Sequence, residues 1–446
     1  MNKQEREEPN QVNEAKNPPE PGKPISEMKA SEYDIIAFDM DLCIAEYNVN
    51  AFNALKMHSD MLQIMQKLNY PKEIYPTQNE QKDPKTSLAN FFIRGFIDKS
   101  NFLVLKIGED LKILMAYNGY KRLSFEEIRE IYGPGAKINQ KDIDERKFFV
   151  VSNFFQSSLI YVVIRIAELR RTNRCQEHPK LKDLTCEQLI EDLYSVIIPE
   201  LSTLHNERCL TEYMINPSML STPDRFFKPL TPEFKTSIEK LREKGKIVVV
   251  VTNSPYFYAD KLLEFICGDG QKGYLNHFDY IIANSKKPKF FTEELSRDLP
   301  IHKIDLKNKE NFVDLETVQN LDFDFDQNRV SSGGSLKRFV DFLKKNKGLG
   351  DGYRGLYLGD NPVGDMEARK EPEWDTCFVY KELSLLTGEW DREWMFDSGG
   401  TWGSQLYGLD QDGGLVKCYF FDKAVREFGA SVDSVLGDAF IRFLKR

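Results

Sequence analysis

Paired cysteines are absent from this sequence. Its seven cysteines are odd in number, widely scattered and nowhere spaced as Cys-x-x-Cys, so a zinc site or a disulfide framework has little support. Unpaired thiols are typical of reducing compartments. The cysteine pattern therefore predicts an intracellular protein, with a cytoplasmic location as the expectation and the nucleus left open.

Long apolar runs are also lacking. The most apolar stretch, residues 159–169, has about half the length of a membrane span and contains Arg165, so we expect a buried helix there and no membrane partner. The N-terminal segment is rich in Glu, Asn, Lys and Pro and lacks the apolar core of a secretory signal. We expect residues 1–30 to form a disordered leader.

A surplus of positive charge is missing as well. The chain has 61 basic and 70 acidic side chains, for a net charge of −9, whereas a nucleic-acid-binding protein usually needs basic residues to neutralise phosphates. Nucleic acid is therefore disfavoured as a partner. A small anionic substrate is still compatible, because a local cluster of positive charge can outweigh the net charge. The oligomeric state is left open, with a homo-oligomer among the alternatives.

What the sequence does contain is a series of short apolar runs, each flanked by polar residues. They are typical of strands that are buried on both faces of a parallel sheet, and they occupy residues 33–39, 246–252, 278–283 and 355–359. A helical pattern precedes or follows each run, including an amphipathic one near residues 235–244. This alternation predicts an α/β fold with a doubly wound, Rossmann-like and mainly parallel sheet.

Nearly 200 residues separate the first run from the second. That length is far too great for a crossover connection, so we expect an inserted domain. Its patterns predict a hairpin (residues 102–107 and 111–117) and helices near 124–131, 155–171 and 184–197. We therefore expect a catalytic core from residues 31–48 plus 232–446, and a mainly helical inserted cap over residues 49–231.

Asp39-Met40-Asp41 ends the first predicted strand. Because side chains alternate along a strand, Asp39 and Asp41 are expected to point the same way, at the edge where open α/β sheets bind ligands. Converging carboxylates repel each other unless a cation or a proton intervenes, and Mg²⁺ prefers such oxygen ligands. Taken alone, however, two turn-forming aspartates at a strand end are the simpler interpretation.

Thr252-Asn253-Ser254 ends the second predicted strand. A hydroxyl group and exposed backbone N–H groups can hold a phosphate oxygen where a helix begins just after them. Ser254 before a proline is also a good helix N-cap in its own right. Taken alone, the capping interpretation is preferred.

The third and fourth predicted strands are followed by a lysine and by two acids. Lys287 is a compact charge suited to neutralising a phosphate and a carboxylate together, although a solvated basic turn is the preferred interpretation when this motif is taken alone. Asp360 and Asp365 supply further metal-ligand oxygens, and the glycines beside them allow close approach of the backbone. These acids taken alone leave a structural and a functional interpretation evenly balanced.

The order of the four motifs resembles that of the haloacid-dehalogenase-like hydrolase superfamily. Finer detail is similar to the cytosolic 5′-nucleotidases and the 5′-nucleotidase domain-containing proteins. The similar segments are Phe38-Asp39-Met40-Asp41 with Ala45-Glu46-Tyr47-Asn48, Thr252-Asn253-Ser254, Lys287-Pro288-Lys289-Phe290-Phe291, Ser332-Gly333-Gly334-Ser335 and Trp402-Gly403-Ser404. The resemblance covers most of residues 31–410.

This resemblance implies a chemical role for each matching position. Asp39 would be the nucleophile that forms an aspartyl-phosphate, and Asp41 would protonate the leaving oxygen and then activate water. Thr252 would bind the phosphoryl oxygens, and Lys287 would neutralise charge on the phosphoryl group and on Asp39. The reaction expected is the Mg²⁺-dependent hydrolysis of a phosphomonoester, by resemblance a nucleoside 5′-monophosphate.

The resemblance also implies ligand-binding residues. The Mg²⁺ ligands would be Asp39, the backbone carbonyl of Asp41, Asp360 and, in or near the same shell, Asp365. The substrate-binding residues would be Asn253, Ser254 and Phe155, the last as an aromatic that stacks on the base, although a core aromatic is the preferred interpretation of Phe155 taken alone.

The sequence departs from the family pattern at several points. Cys43 stands where most members have threonine, and Asn361-Pro362 replaces a histidine and an apolar residue. The segment that binds the base is matched only loosely. Two alternatives therefore stay open: a phosphatase for another small metabolite, and a catalytically weak member that acts as a binding or regulatory protein.

Overall fold

The structure is a computed structural model. It describes residues 28–48, 51–52, 67–75, 95–151, 157–203, 219–292, 299–304, 316–318, 324–327, 329–362, 364–379, 407–409, 415–419 and 431–433. Most of the predicted leader, Phe155 and the Trp402-Gly403-Ser404 segment lie outside these ranges.

The described chain contains strands and helices that follow one another along the sequence. In chain order the strands are β1 (Ile35–Phe38), β2 (Glu46–Tyr47), β3 (Gly95–Asp98), β4 (Leu103–Ile107), β5 (Ile113–Asn118), β6 (Lys121–Arg122), β7 (Phe148–Val151), β8 (Phe227–Lys228), β9 (Ile247–Val251), β10 (Tyr280–Ala283), β11 (Ile301–Lys303), β12 (Glu316–Val318), β13 (Val330–Gly333), β14 (Gly355–Gly359), β15 (Trp374–Val379), β16 (Tyr407–Leu409), β17 (Leu415–Lys417) and β18 (Ser431–Asp433). The α-helices are α1 (Phe125–Tyr132), α2 (Gln140–Asp144), α3 (Ser157–Arg171), α4 (Pro179–Lys182), α5 (Cys186–Thr203), α6 (Pro223–Phe226), α7 (Pro232–Glu243), α8 (Tyr256–Cys267) and α9 (Leu336–Lys347). Short 3₁₀ helices lie at Ala30–Glu32, Lys72–Ile74, Arg174–Glu177, Gly273–Asn276 and Met366–Lys370.

The main sheet has the order β12-β11-β13-β10-β9-β1-β14-β15-β18 in the described ranges. Seven neighbouring strands, from β13 to β18, run parallel, whereas β11 and β12 pair antiparallel at one edge. The chain passes from β1 outward through β9, β10 and β13, and then returns to the other side of β1 with β14. Such a reversal leaves a crevice at the carboxyl ends of the strands, where open α/β sheets bind ligands.

The central strands are apolar because helices cover both faces of the sheet. Ile36 and Phe38 of β1 share one core with α7 and α8. Ile35 and Ala37 share the other core with α9. Since side chains alternate along a strand, continuous apolar runs are the pattern that this two-sided burial requires. The predicted strands and the mainly parallel α/β sheet are therefore confirmed, and burial on both faces is consistent with the doubly wound arrangement.

The long segment between β1 and β9 contains a second, antiparallel sheet with the order β6-β5-β4-β3-β7. One face of this sheet packs against α3 and α5, and the other packs against α1. The predicted hairpin is present as β4 and β5. Helix α3 is buried along residues 159–167, as expected of the most apolar stretch. The segment was predicted to be mainly helical, but it also holds this five-stranded sheet.

A two-stranded antiparallel ribbon stands at the base of this segment. Strand β2 pairs with β8, so that Glu46 faces Lys228 and Tyr47 faces Phe227. The ribbon therefore brings together the two ends of the chain that lead into and out of the long insertion. Within the described ranges, no helix is both long enough and apolar enough to cross a membrane.

Candidate active site

A buried lysine joins two carboxylates at the carboxyl edge of the main sheet. Asp39 follows β1, and Lys287 follows β10. The Lys287 Nζ atom lies 2.8 Å from Asp39 Oδ1 and 2.7 Å from Asp365 Oδ1. It also donates to the Tyr357 hydroxyl at 2.8 Å, and all three groups are at least nine-tenths buried. Three partners match the three N–H donors of an ammonium group.

These contacts keep the lysine charged in a dry site. Burial lowers the pKa of Lys287, but the carboxylates of Asp365 and Asp39 outweigh it and leave that pKa above its ordinary value. Burial likewise raises the pKa of Asp39 well above its usual range; Lys287 opposes this shift, and Asp365 adds to it. The site therefore carries more acid than its one lysine neutralises, which is the electrostatic situation that a bound cation relieves.

Asp41 lies in a separate cluster of hydroxyl groups. Its Oδ1 atom accepts from the Tyr47 hydroxyl at 2.6 Å, and its Oδ2 atom accepts from Ser254 Oγ at 2.6 Å and from Thr252 Oγ1 at 3.5 Å. The Tyr47 hydroxyl is in turn 2.7 Å from that of Tyr258 in α8. Burial raises the pKa of Asp41, although the hydrogen bonds from Ser254 and Tyr47 oppose the shift. A buried carboxyl group with a raised pKa is suited to hold and release a proton.

The side chain of Asn253 holds the lysine loop in place. Its Oδ1 atom accepts from the Lys287 backbone N–H at 2.6 Å, and its Nδ2 atom donates to the Lys287 carbonyl at 3.1 Å. Ser285 Oγ also donates to Asn253 Oδ1, at 3.0 Å. The structure thus gives Asn253 a positioning contact with the loop after β10, and its predicted substrate contact stays a prediction.

Three carboxylates in the described part of the chain could hold a metal ion together. One oxygen each from Asp39, Asp360 and Asp365 lies within 4.8 Å of the others. An octahedral Mg²⁺ with ligands at about 2.1 Å places neighbouring oxygens about 3 Å apart and opposite ones about 4.2 Å apart. The limit of 4.8 Å is close to this range, and carboxylate oxygens are the ligands that a small, hard divalent cation prefers. The Asp41 carboxylate lies instead among the hydroxyl groups, so any metal contact of Asp41 would have to use its backbone.

The backbone beside this cluster requires glycine. A Cβ atom on Gly359 would lie 2.4 Å from Cγ of Asp365, well inside van der Waals contact. Asp365 also accepts from the Asn361 backbone N–H at 2.9 Å. The Asp365 carboxylate is therefore held directly against the end of β14.

Sequence reasoning missed three tyrosines of this site. Tyr47, Tyr258 and Tyr357 place their hydroxyl groups on Asp41, on Tyr47 and on Lys287 respectively. A tyrosine inside the otherwise aliphatic run of β14 is a usable signal, because a buried hydroxyl needs a polar partner. Tyr47 lies in the Ala45-Glu46-Tyr47-Asn48 segment of the resemblance, which assigned it no role, and Tyr258 carries no sequence signal.

Of the other predicted positions, Phe155 lies outside the described residues. At Cys43, where most family members have threonine, the thiol donates to the Leu358 carbonyl at 3.5 Å. The cysteine at this position therefore packs under the end of the sheet.

A mainly parallel α/β sheet with these groups along its carboxyl edge is the architecture of haloacid-dehalogenase-like hydrolases. Comparison of the sequence with known families narrows this class. Residues 25–393 match the family described as the 5′ nucleotidase family. The chain belongs to this family and is a phosphomonoester hydrolase, as the motif resemblance led us to expect.

Curated relatives carry names of the same kind. A human protein named 5′-nucleotidase domain-containing protein 1 is 24% identical over 361 residues, which cover 78% of this chain and 72% of the human protein. Its bovine namesake is 23% identical over 361 residues, with the same coverage of 78% and 72%. A 5′-nucleotidase domain-containing protein of Dictyostelium discoideum is 24% identical over 417 residues. That match covers 90% of this chain but only 61% of the Dictyostelium protein.

Proposed function

We propose that this chain hydrolyses nucleoside 5′-monophosphates in an Mg²⁺-dependent reaction that proceeds through an aspartyl-phosphate on Asp39. The observation that carries the proposal is the convergence of Asp39, Asp360 and Asp365 beside Lys287 at the carboxyl edge of the sheet. Bound there, Mg²⁺ would supply charge neutralisation and orientation for a phosphate group. The odd number and scattered spacing of the cysteines in the sequence are the reason for placing the reaction in the cytoplasm.

In the first half of the reaction, a carboxylate oxygen of Asp39 attacks phosphorus while the bond between phosphorus and the ester oxygen breaks. The leaving alkoxide takes the proton of the Asp41 carboxyl group and departs as an alcohol. Lys287 is in contact with Asp39 and would balance the negative charge of the phosphoryl group and of the Asp39 carboxylate. Thr252 and Ser254, which both face Asp41 Oδ2, are the hydroxyl groups that would bind the phosphoryl oxygens.

In the second half, the Asp41 carboxylate takes a proton from water. The resulting hydroxide attacks phosphorus, the acyl-phosphate bond breaks, and Asp39 is regenerated as a carboxylate together with free phosphate. The proton remains on Asp41 for the next cycle. An acid that alternates in this way needs a raised pKa and a fixed orientation. The burial of Asp41 supports the raised pKa, and its hydrogen bonds support the fixed orientation.

Substrate selectivity must come from the residues that cover the phosphate site, because the site itself contacts only the phosphate group, which all monophosphates share. We propose that residues 49–231 form the cap and that residues 31–48 plus 232–446 form the core. Strands β2 and β8 at the base of the insertion support this division.

Phe155→Ala is expected to raise KM for a nucleotide but not for a generic aryl phosphate, which is the pattern of lost substrate-specific binding. Equal damage with both substrates would mean that Phe155 is a core residue.

A phosphate-release screen tests the proposed function. Purified protein is assayed with nucleoside monophosphates and sugar phosphates, with Mg²⁺ and with a chelator, and Asp39→Asn serves as the inactive control. We expect metal-dependent release with a preference for nucleotides. A preference for sugar phosphates would favour a phosphatase for another metabolite. Binding of nucleotides without turnover of any ester would favour a binding or regulatory protein.

A further inference from the structure

Two tyrosine hydroxyl groups continue inward from the Asp41 carboxylate. Tyr47 donates to Asp41 Oδ1 at 2.6 Å, and its hydroxyl oxygen lies 2.7 Å from that of Tyr258. A carboxylate can only accept hydrogen bonds, so the single hydroxyl proton of Tyr47 is directed to Asp41 when that group is ionised. Tyr258 must then be the donor within the tyrosine pair.

The pair is enclosed, and the Tyr47 ring is held by aromatic contacts. Tyr47 is 2% exposed and Tyr258 is 6% exposed. The Tyr47 ring packs edge-on against Phe227, with centroids 4.8 Å apart, and against Phe52, with centroids 5.4 Å apart. Apolar contacts on the ring and a short hydrogen bond at its tip fix where the hydroxyl group lies, and thereby fix the Oδ1 side of the Asp41 carboxyl group.

Tyr47 also connects Asp41 to the inserted segment. It lies in β2 and is paired with Phe227 of β8, so it stands on the ribbon where the chain enters and leaves the insertion. Tyr258 belongs to α8 of the main sheet's helical layer. The hydroxyl contact between the two tyrosines therefore joins the base of the insertion to the core directly behind Asp41.

We propose that Tyr47, supported by Tyr258, is a positioning residue that orients Asp41 for proton transfer to the leaving group and ties that orientation to the ribbon at the base of the insertion. The inference rests on the proposed hydrolysis of phosphomonoesters. Its consequence is selective: the hydroxyl pair matters most for esters whose leaving group needs a proton, and least for esters whose leaving group departs as a stable anion.

The test compares two esters in Tyr47→Phe, which removes the hydroxyl group and retains the ring contacts. The measured quantity is kcat/KM, which reports on the enzyme up to the first irreversible step, for the best alkyl monophosphate and for p-nitrophenyl phosphate. General acid catalysis contributes typically 10²–10⁴-fold. We expect misorientation of the acid to lower kcat/KM by about tenfold for the alkyl ester, and by less than about threefold for the aryl ester.

Tyr256→Phe is the matched control. Tyr256 lies in the same helix as Tyr258 and is also buried, but its hydroxyl donates to Asp260 at 3.0 Å and not to the Asp41 cluster. We expect this control to leave the ratio of the two kcat/KM values unchanged. Tyr258→Phe should change the ratio in the same direction as Tyr47→Phe but by less, since it acts through the Tyr47 hydroxyl. Combined with Tyr47→Phe, it should add nothing.

Each negative result of this test leads to a different conclusion. Equal losses on both esters, or no loss, in Tyr47→Phe would overturn the positioning role while leaving the hydrolase intact. If Tyr47→Phe does not fold, an unchanged ratio in Tyr258→Phe overturns it instead. A wild-type protein that hydrolyses neither ester would overturn the proposed function, and this inference with it.

Discussion

The ammonium group of Lys287 is the counter-charge for two buried carboxylates, so its removal tests the electrostatics of the whole site. Lys287→Met keeps a long apolar side chain but loses the contacts with Asp39 at 2.8 Å and Asp365 at 2.7 Å. Both aspartates remain almost fully enclosed by protein. Two negative groups are then left facing each other with little water to screen them.

The expected cost is large for one substitution. Removing one partner of a buried ion pair typically costs about 3–5 kcal/mol, because the remaining charge stays desolvated. We expect Lys287→Met to lose about that much free energy of unfolding at neutral pH in the presence of a chelator. Catalytic activity should also be lost, since Asp39 would no longer have the ammonium group beside it during attack.

The loss of free energy of unfolding in Lys287→Met should become smaller as the pH falls. Burial already raises the pKa of Asp39, and Lys287 is the strongest opposing influence, so its removal raises that pKa further. A carboxyl group with a raised pKa in the folded state binds protons that the unfolded chain releases. Its contribution to stability is present below the unfolded pKa and is lost as pH rises through the folded pKa. The variant is therefore penalised more at neutral than at acidic pH.

Urea unfolding with a chelator, at about pH 5 and about pH 8, measures both effects. Lys289→Met is the matched control, because Lys289 lies on the same loop but is exposed. If the free energies of unfolding of Lys287→Met and of this control differ by less than about 0.5 kcal/mol at both pH values, the electrostatic reasoning is wrong.

Three further predictions concern the same edge of the sheet. Millimolar Mg²⁺ should raise the melting temperature of the wild type by mass action; no shift in a well-folded sample counts against the metal site. Asp39→Asn should abolish turnover because an amide is no nucleophile, whereas Asp41→Asn should retain phosphate binding but turn over slowly. A product-release assay measures the turnover, and an inorganic-phosphate binding assay measures the retained binding. Near-normal activity of Asp39→Asn would exclude the covalent mechanism. Gly359→Ala should destabilise the fold by about 1–3 kcal/mol, because its Cβ would lie 2.4 Å from Asp365 Cγ; Gly352→Ala, where a Cβ meets open space, should be neutral in the same denaturant titration.

Local pattern was enough to predict the central sheet and the order of its motifs. Burial on both faces demands continuous apolar runs, and such runs are visible without any tertiary information. The predicted strand at residues 355–359 matches β14, and the helix predicted near residues 235–244 is α7. Because the carboxyl ends of parallel strands share one edge, the strand order also implied that Asp39, Lys287 and Asp360 lie near one another.

Tertiary structure alone decided how Asp41 is oriented. Strand β1 ends at Phe38, and Leu42 has a left-handed backbone with φ of 57°, so the alternation of a strand does not extend to Asp41. Its carboxylate is held by Tyr47 and by Ser254, which is 213 residues away in sequence. Tertiary structure also decided the pairing within the sheet of the insertion. There β3 pairs with β7, although all the elements from β4 to α2 lie between these two strands in sequence. A local pattern cannot encode such partners, because they are selected by the packing of distant segments.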